Sequence, residues 1–393
     1  MKTRRIVSLF LAVVLMTVMF AACAASEPKP ATTTTLGNEP IGPASTTPAA
    51  TTTPEKPKTE YIGPFGYLQS KFADTHGTAC RKAASAVADP LKWTIDFAEC
   101  NEDQVQMNDK LDMMFTKGYR VVIAGMVQSA GGQVMIEKTE KAGADRYIIF
   151  YKNEPNPIEA FTASKQAYFC GSIYQQAGLC EGQAIEKYMK ANPDKWDKNK
   201  DGVLQYVLLR GPLGNTEANY RSEYAIKYLT DAGIKVDKLF LDTAEWNRAK
   251  AMEKMQTWLT ALGAKECEAV FANNDDMALG AIEALKAVGY FKADGKLYVP
   301  VVGVDATAVG RDAIRDGTML ATSYNNPVAL GEATVYLAHA LANGLELKKE
   351  NLGGYAMTNR NREPDAAGKY IWLDYIYVDK DNLSEFEKGY FGG

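Results

Sequence analysis

The sequence predicts an α/β protein built as two doubly wound parallel sheets. Short apolar runs alternate with amphipathic stretches along most of the 393 residues. Most of those amphipathic stretches close on glycine, and the length exceeds what one such sheet with its helices needs. In chain order, LKWTIDFAE, YRVVIAGMV, DRYIIFY, LQYVLLRG, VDKLFLD, CEAVFANN and LYVPVVGVD read as strands. Each is a run rich in Val, Ile, Leu or Phe, mostly about four to eight residues long, as strands covered on both faces require. YIGPFGYL and TMLATSY add two more. Between them QVQMNDKLDMMFTKG, QVMIEKTEKAG, EANYRSEYAIKYLTDAG, RAKAMEKMQTWLTALG and DMALGAIEALKAVG carry apolar residues at three- and four-residue spacing, the period of a helix packed on one side.

Residues 1–22 read as an export signal: a basic MKTRR, the apolar IVSLFLAVVLMTVMF, then small residues before Cys23. The pattern is that of a bacterial lipoprotein, with Cys23 lipidated and anchoring the chain to the membrane. Phe20 stands where leucine is usual, and an ordinary secretory signal cut after an A-x-A triplet such as Ala22–Ala24 is the other reading. Both export the chain. Residues 23–59 are rich in Thr, Pro and Ala and predict an extended tether. A tract of about 35 residues spans on the order of 30 Å as a coil and roughly 100 Å as polyproline II.

Lysine and arginine number 44 against 48 acidic residues, a formal net charge of −4, with no basic run beyond the first residues. That balance argues against nucleic acid as the main partner. The export signal likewise excludes a DNA-binding regulator. Beyond Cys23, Cys80, Cys100, Cys170, Cys180 and Cys267 remain. An odd number cannot complete a disulfide framework, and buried thiols are expected. His76 and His339 are the two histidines, no GxSxG or phosphate-binding loop is present, and His339 in VYLAHALANG reads as a helix residue. An enzyme is therefore disfavoured.

In open α/β sheets ligands bind beyond the carboxyl ends of strands. Asp74, Asn273, Asn274, Asp305 and Asn325 all follow predicted strands. Each is also a preferred helix N-cap. With Trp246 after KLFLDTA they would form an oxygen-rich, aromatic ring of side chains suited to a sugar, which offers hydroxyls at its edge and C–H groups on its face. Separately, Asp197, Asn199, Asp201 and Gly202 in DKNKDGVLQ match the opening of an EF-hand calcium loop, yet Leu208 stands where that loop has its last carboxylate.

WDKNKDGVLQYVLLRGPLGNTEANYRSEYAI, LFLDTAEWNRAKAMEKMQTWL, EAVFANNDDMALGAIEALKA, VPVVGVDA and YVDKDNLSEF together resemble the periplasmic galactose/glucose-binding proteins, in order from Tyr61 to Phe386. The resemblance implies the type I periplasmic binding protein fold, two Rossmann-like lobes joined by three crossing segments. The first lobe would comprise residues 60–150 and 326–371 and the second residues 151–325 and 372–393. It implies a monomer that is not an enzyme, binds galactose, glucose or a related monosaccharide, and delivers it to an ABC permease. A sensory protein presenting its closed form to a membrane receptor is the alternative. Trp246 would be the stacking platform, Asn274 and Asp305 second-lobe hydrogen-bonding partners, Arg221 a donor, Asn325 a hinge-side contact and Asp74 a first-lobe acceptor. His76 takes the place of a second aromatic platform, Asn215 and Glu217 replace a histidine and an aspartate, and Gly125 stands where an asparagine is usual. The resemblance also completes the loop as a structural Ca2+ site: Asp197, Asn199, Asp201, the Val203 carbonyl, Gln205 and both oxygens of Glu268.

Overall fold

The computed structural model describes residues 59–262, 266–293, 295–365 and 367–387. The expected signal peptide, Cys23 and nearly all of the tether lie outside the described residues. Two six-stranded sheets form the body. The first contains β1 (Phe65–Gln69), β2 (Ile95–Glu99), β3 (Val121–Gly125), β4 (Tyr147–Tyr151), β5 (Ala167–Ser172) and β11 (Tyr370–Leu373), ordered β2-β1-β3-β4-β5-β11 and parallel throughout. The second contains β6 (Leu204–Arg210), β7 (Val236–Thr243), β8 (Ala269–Ala272), β9 (Val301–Val302), β10 (Ala321–Asn325) and β12 (Tyr375–Asp379). Its order is β7-β6-β8-β9-β10-β12, with β12 antiparallel to β10 at the edge.

The helices are α1 (Thr75–Ala88), α2 (Gln104–Thr116), α3 (Gly132–Ala142), α4 (Ile158–Ala163), α5 (Tyr174–Ala191), α6 (Thr216–Asp231), α7 (Arg248–Leu262), α8 (Asp275–Ala287), α9 (Ala308–Arg315), α10 (Pro327–Asn343) and α11 (Leu383–Glu387). The two-residue period of a strand sorts the apolar side chains between them. Val121, Ile123 and Ile149 pack with Ala84 of α1 and Leu337 of α10, whereas Val122, Ala124 and Ile148 pack with Leu111 of α2 and Met135 of α3 on the opposite face. In the second sheet Val207 and Val270 meet Met255 of α7 and Ile282 of α8. Tyr206 and Phe271 meet Ile185 of α5 and Leu229 of α6. Such double coverage explains why these strands read as continuous apolar runs. Among the described cysteines Cys80, Cys100, Cys170 and Cys267 are buried, Cys180 is half-buried, and all are free thiols.

The chain crosses between the sheets after Ser172, after Asn325 and at Asp374. The first crossing was expected at residues 150–151 and falls later, because β5 pairs with β4 and β11 in the first sheet. Its run AYFCGS is short and ends in small and polar residues, which hid it. The last crossing likewise falls at Asp374 rather than between 371 and 372, since Trp372 and Leu373 still pair with β5.

Helices α5 and α6 approach closely at Gly178, where a Cβ would lie 2.6 Å from the Arg221 carbonyl oxygen and 2.7 Å from the Ala225 nitrogen. Both are backbone atoms and cannot swing away. Gly178→Ala is therefore expected to separate the helices and destabilise the fold by about 1–3 kcal/mol, measured by urea unfolding; a neutral result would mean that the helices adjust freely.

Candidate functional site

A cleft of about 800 Å³ lies between the lobes, at the carboxyl ends of their strands. Asp74, His76, Asn215, Glu217, Arg221, Trp246, Asn274, Asp305 and Asn325 all line it. Three are also N-caps: Asp74 accepts from Gly77 N at 2.5 Å, Asn215 from Ala218 N at 3.0 Å and Asn274 from Met277 N at 2.9 Å. Capping one oxygen leaves the rest of each side chain at the cleft, so cap and wall are the same residue. Asn273 is different. It is fully buried, its Oδ1 accepting from Gly211 N and Ser222 Oγ, and it holds the wall from behind.

The second-lobe wall is organised around Arg221, which is 2 % exposed. Its Nη1 donates to the Asn273 carbonyl at 2.6 Å and its Nη2 to the Tyr375 hydroxyl at 2.8 Å. Glu217 Oε1 stands 3.3 Å and Asp305 Oδ1 3.8 Å from Nη2, all three side chains nearly buried. The Glu217 pair is thus no solvated helix-surface contact. The guanidinium carbon lies 5.5 Å from the Trp246 ring centre and 5.7 Å from that of Tyr375. Glu245 and Trp246 both adopt positive φ, as do Asp305 and Ala306. Strained backbone at non-glycine residues concentrates here, as at binding sites generally. Burial pushes the Asp305 carboxyl well above the usual range, the Arg221 guanidinium pulling the other way.

Packing sets two features of the first-lobe wall. Gly125 leaves no gap: a Cβ there would lie 2.5 Å from Tyr151 Cε1 and 2.8 Å from its hydroxyl, so the phenol occupies the space. His76, expected to present its ring, joins Nε2 to the Asn325 carbonyl at 2.9 Å. A carbonyl only accepts, so Nε2 carries the hydrogen. Burial, with the Lys152 ammonium nearby, depresses the imidazole to about 3, keeping it neutral. Asn325 is the joint of the cleft: Oδ1 accepts from Ser172 Oγ at 2.7 Å and Nδ2 lies 3.4 Å from Asp305 Oδ1. The lobes also meet directly, Thr75 Oγ1 on Asp276 Oδ2 and Ser129 Oγ on Thr216 Oγ1, both at 2.7 Å.

Lys152, Tyr151, Gln69, Asn153 and Asp276 line the same cleft and were not expected there. Lys152 follows β4 directly. It sits where strand ends place ligand contacts, as a cation among amides and carboxylates.

The loop preceding β6 wraps its oxygens around its own amides. Asp197 accepts from Asp201 N at 3.1 Å and Gly202 N at 2.9 Å, Asn199 Oδ1 from Asp201 N at 3.0 Å, and Asp201 from Val203 N at 2.8 Å. Glu268, 1 % exposed, accepts from Lys198 N at 2.6 Å and Gln205 N at 3.0 Å. Chain-distant residues thus share one site. Among the described residues no three His, Cys, Asp or Glu side chains form a metal cluster; the loop's oxygens are a mixture of carboxylates and amides. One of them, Gln205 Oε1, is buried without a hydrogen-bond partner while its Nε2 donates to Asp201. A hard cation would satisfy it.

Residues 65–346 match the model of the periplasmic binding protein domain family. The chain belongs to that family. Among family relatives, the D-galactose/methyl-galactoside binding periplasmic protein MglB of Haemophilus influenzae is 34% identical over 288 residues, 73% of this chain and 80% of that one. A xylitol-binding protein of Mycolicibacterium smegmatis is 28% identical over 74% of this chain and 75% of its own length. An ABC transporter solute binding protein from Bacillus halodurans C-125, solved with bound myo-inositol, superposes with a TM-score of 0.65 at 24% identity, covering 82% of this chain and 96% of that chain. Its likeness is one of fold.

In this member of the family Asp275 braces the turn that carries Asp305. It accepts from Thr322 Oγ1 at 2.6 Å, Thr307 N at 2.7 Å and Thr307 Oγ1 at 3.0 Å. Burial nevertheless pushes its carboxyl up to about 7, against about 3.9 in an unfolded chain. Ionised Asp275 therefore penalises the folded state in full above about pH 7, and the penalty fades as pH falls toward about 3.9. Urea unfolding at about pH 8 and about pH 5 is expected to show the wild type gaining stability relative to Asp275→Asn at the lower pH; parallel curves would contradict it.

Proposed function

We propose that the chain is an extracytoplasmic binding protein that captures a monosaccharide or related polyol between its lobes and delivers it to an ABC permease. One observation carries the reading: an indole face, a buried guanidinium and several carboxyl and amide oxygens line a single cleft of about 800 Å³. A pyranose ring offers the complement, C–H bonds for Trp246 and paired hydroxyls for Arg221, Asn274, Asp305 and Asp74. Relatives named for D-galactose and methyl-galactosides or xylitol, and family structures holding myo-inositol or D-allose, support this ligand class. The cleft carboxylates are hydroxyl acceptors in this reading, not acid–base groups. The export signal and Cys23 support a lipid-anchored position outside the cytoplasm. Calorimetry with galactose, glucose, allose, xylitol and myo-inositol is expected to give binding heat for at least one, weakened about tenfold or more by Trp246→Ala. Silence with all of them would overturn the reading.

The donor set Asp197, Asn199, Asp201, Val203 carbonyl, Gln205 and Glu268 fits calcium, with the partnerless Gln205 oxygen as the supporting observation. Bound there, the ion would supply charge compensation for the carboxylates and cross-link the loop to the start of β8. Chelation is expected to lower the melting temperature of the wild type, and Glu268→Gln to abolish that response while leaving sugar preference unchanged. An unaltered melting temperature after chelation would remove the metal from the site.

A further inference from the structure

Lys152 is a cleft cation to which the sugar reading above gives no role. It stands immediately after β4 in a left-handed conformation, φ 67°, without being glycine. Its ammonium lies 3.4 Å from Asp74 Oδ1, with the two side chains 16 % and 23 % exposed. Burial alone would lower its proton affinity, but Asp74 opposite it raises it above the usual lysine range, so the group stays charged. The Tyr151 phenol, packed on Gly125, closes the wall beside it. An ammonium has three donors and no acceptor. Asp74 Oδ1 already serves Gly77 N and Lys152, and among the described residues no hydrogen bond is made to Oδ2. The first-lobe wall therefore presents a fixed donor next to a fixed acceptor.

Resting on the sugar reading above, we propose that the Lys152–Asp74 pair determines which ligand the cleft prefers. It takes a ligand oxygen that accepts from Lys152 Nζ beside a hydroxyl that donates to Asp74 Oδ2. The same arrangement favours neutral polyhydroxylated rings over sugar acids. Lys152 is engaged by Asp74, and Arg221 by Glu217 and Asp305. The other two cations that line the cleft are also paired, Lys71 with Glu102 and Arg248 with Glu283, so a ligand carboxylate would have to displace a protein carboxylate and would add charge to a wall already rich in them.

The test is calorimetry of the full globular chain with a panel of epimeric hexoses, pentoses and polyols, plus glucuronate and galacturonate. Lys152→Met is expected to weaken the best neutral ligand by about 10–100-fold and to reorder the epimers. Lys152→Arg, which keeps the cation, should retain binding but shift the order. Trp246→Ala should weaken all ligands without reordering them. Lys152→Met leaves Asp74 unpaired, so Asp74→Asn/Lys152→Met serves as the second variant; it is expected to be well folded and equally altered in preference. Affinities and order unchanged in both Lys152→Met and the double variant would overturn the proposal. So would a wild type that binds a uronate more tightly than its neutral parent. A wild type silent to every sugar would overturn both this and the sugar reading, whereas affinities and order unchanged in both variants overturn this one alone.

Discussion

A guanidinium taken out of water must be surrounded by acceptors, and Arg221 imposes that demand on the second lobe. Its acceptors come from separate elements: the carbonyl of Asn273 after β8, the hydroxyl of Tyr375 on β12, Glu217 on its own helix and Asp305 after β9. Removing one partner from a buried charge costs several times what a surface pair contributes. The strand ends are thus held in register by one side chain. That side chain also backs the indole of Trp246. The close approach of α5 to α6 at Gly178 serves the same arrangement, since the carbonyl it presses against is that of Arg221 itself. Helix packing and cleft geometry are consequently not independent here.

The crossing segments tie this wall to the first lobe. Asn325 ends β10 in the second sheet, yet its side chain and carbonyl are held by Ser172 and His76 of the first lobe. With His76 neutral, the bond it donates carries no charge and leaves no unpaired cation when the lobes separate. The Ser129–Thr216 contact joins two neutral hydroxyls, and Thr75–Asp276, though it ends on a carboxyl, is exposed, so water can replace it. Bonds of this kind can break without large desolvation penalties. The strong interactions, Arg221 and its carboxylates, lie within one lobe, where they need not break for the lobes to move apart.

Much of this was legible in the sequence because strands covered on both faces must be apolar throughout, and because the residues after them must be polar to cap the next helix. Asp74, Asn215 and Asn274 are caps and cleft walls at once. The residue signal for one role therefore located the other. What stayed hidden follows from side-chain packing that spacing does not encode. Strand β5 carries Cys170, Gly171 and Ser172 where an apolar run would have announced it. Gly125 looked like a missing contact, but the deciding residue is Tyr151 on the neighbouring strand, which fills that space. Lys152 also stands at a strand end, but a lysine in sequence reads as exposed because buried lysines are rare unless paired, and its partner Asp74 is 78 residues away in the chain.

The loop bonded to Glu268 and the cleft share β8 but not an end of it. Glu268 lies before the strand and Asn273 and Asn274 after it, separations of five and six residues, which at about 3.3 Å per residue puts the two regions on the order of 20 Å apart. Glu268 also links to Gln205 at the start of β6, whose far end, at Arg210, leads to Gly211 and its bond with Asn273. A cross-link at the amino ends of β6 and β8 therefore clamps the two strands whose carboxyl ends carry the wall. An interaction at that distance cannot discriminate between epimers, because it touches no hydroxyl. It can hold the carboxyl ends of β6 and β8 in one arrangement, so that the second-lobe wall is largely preformed.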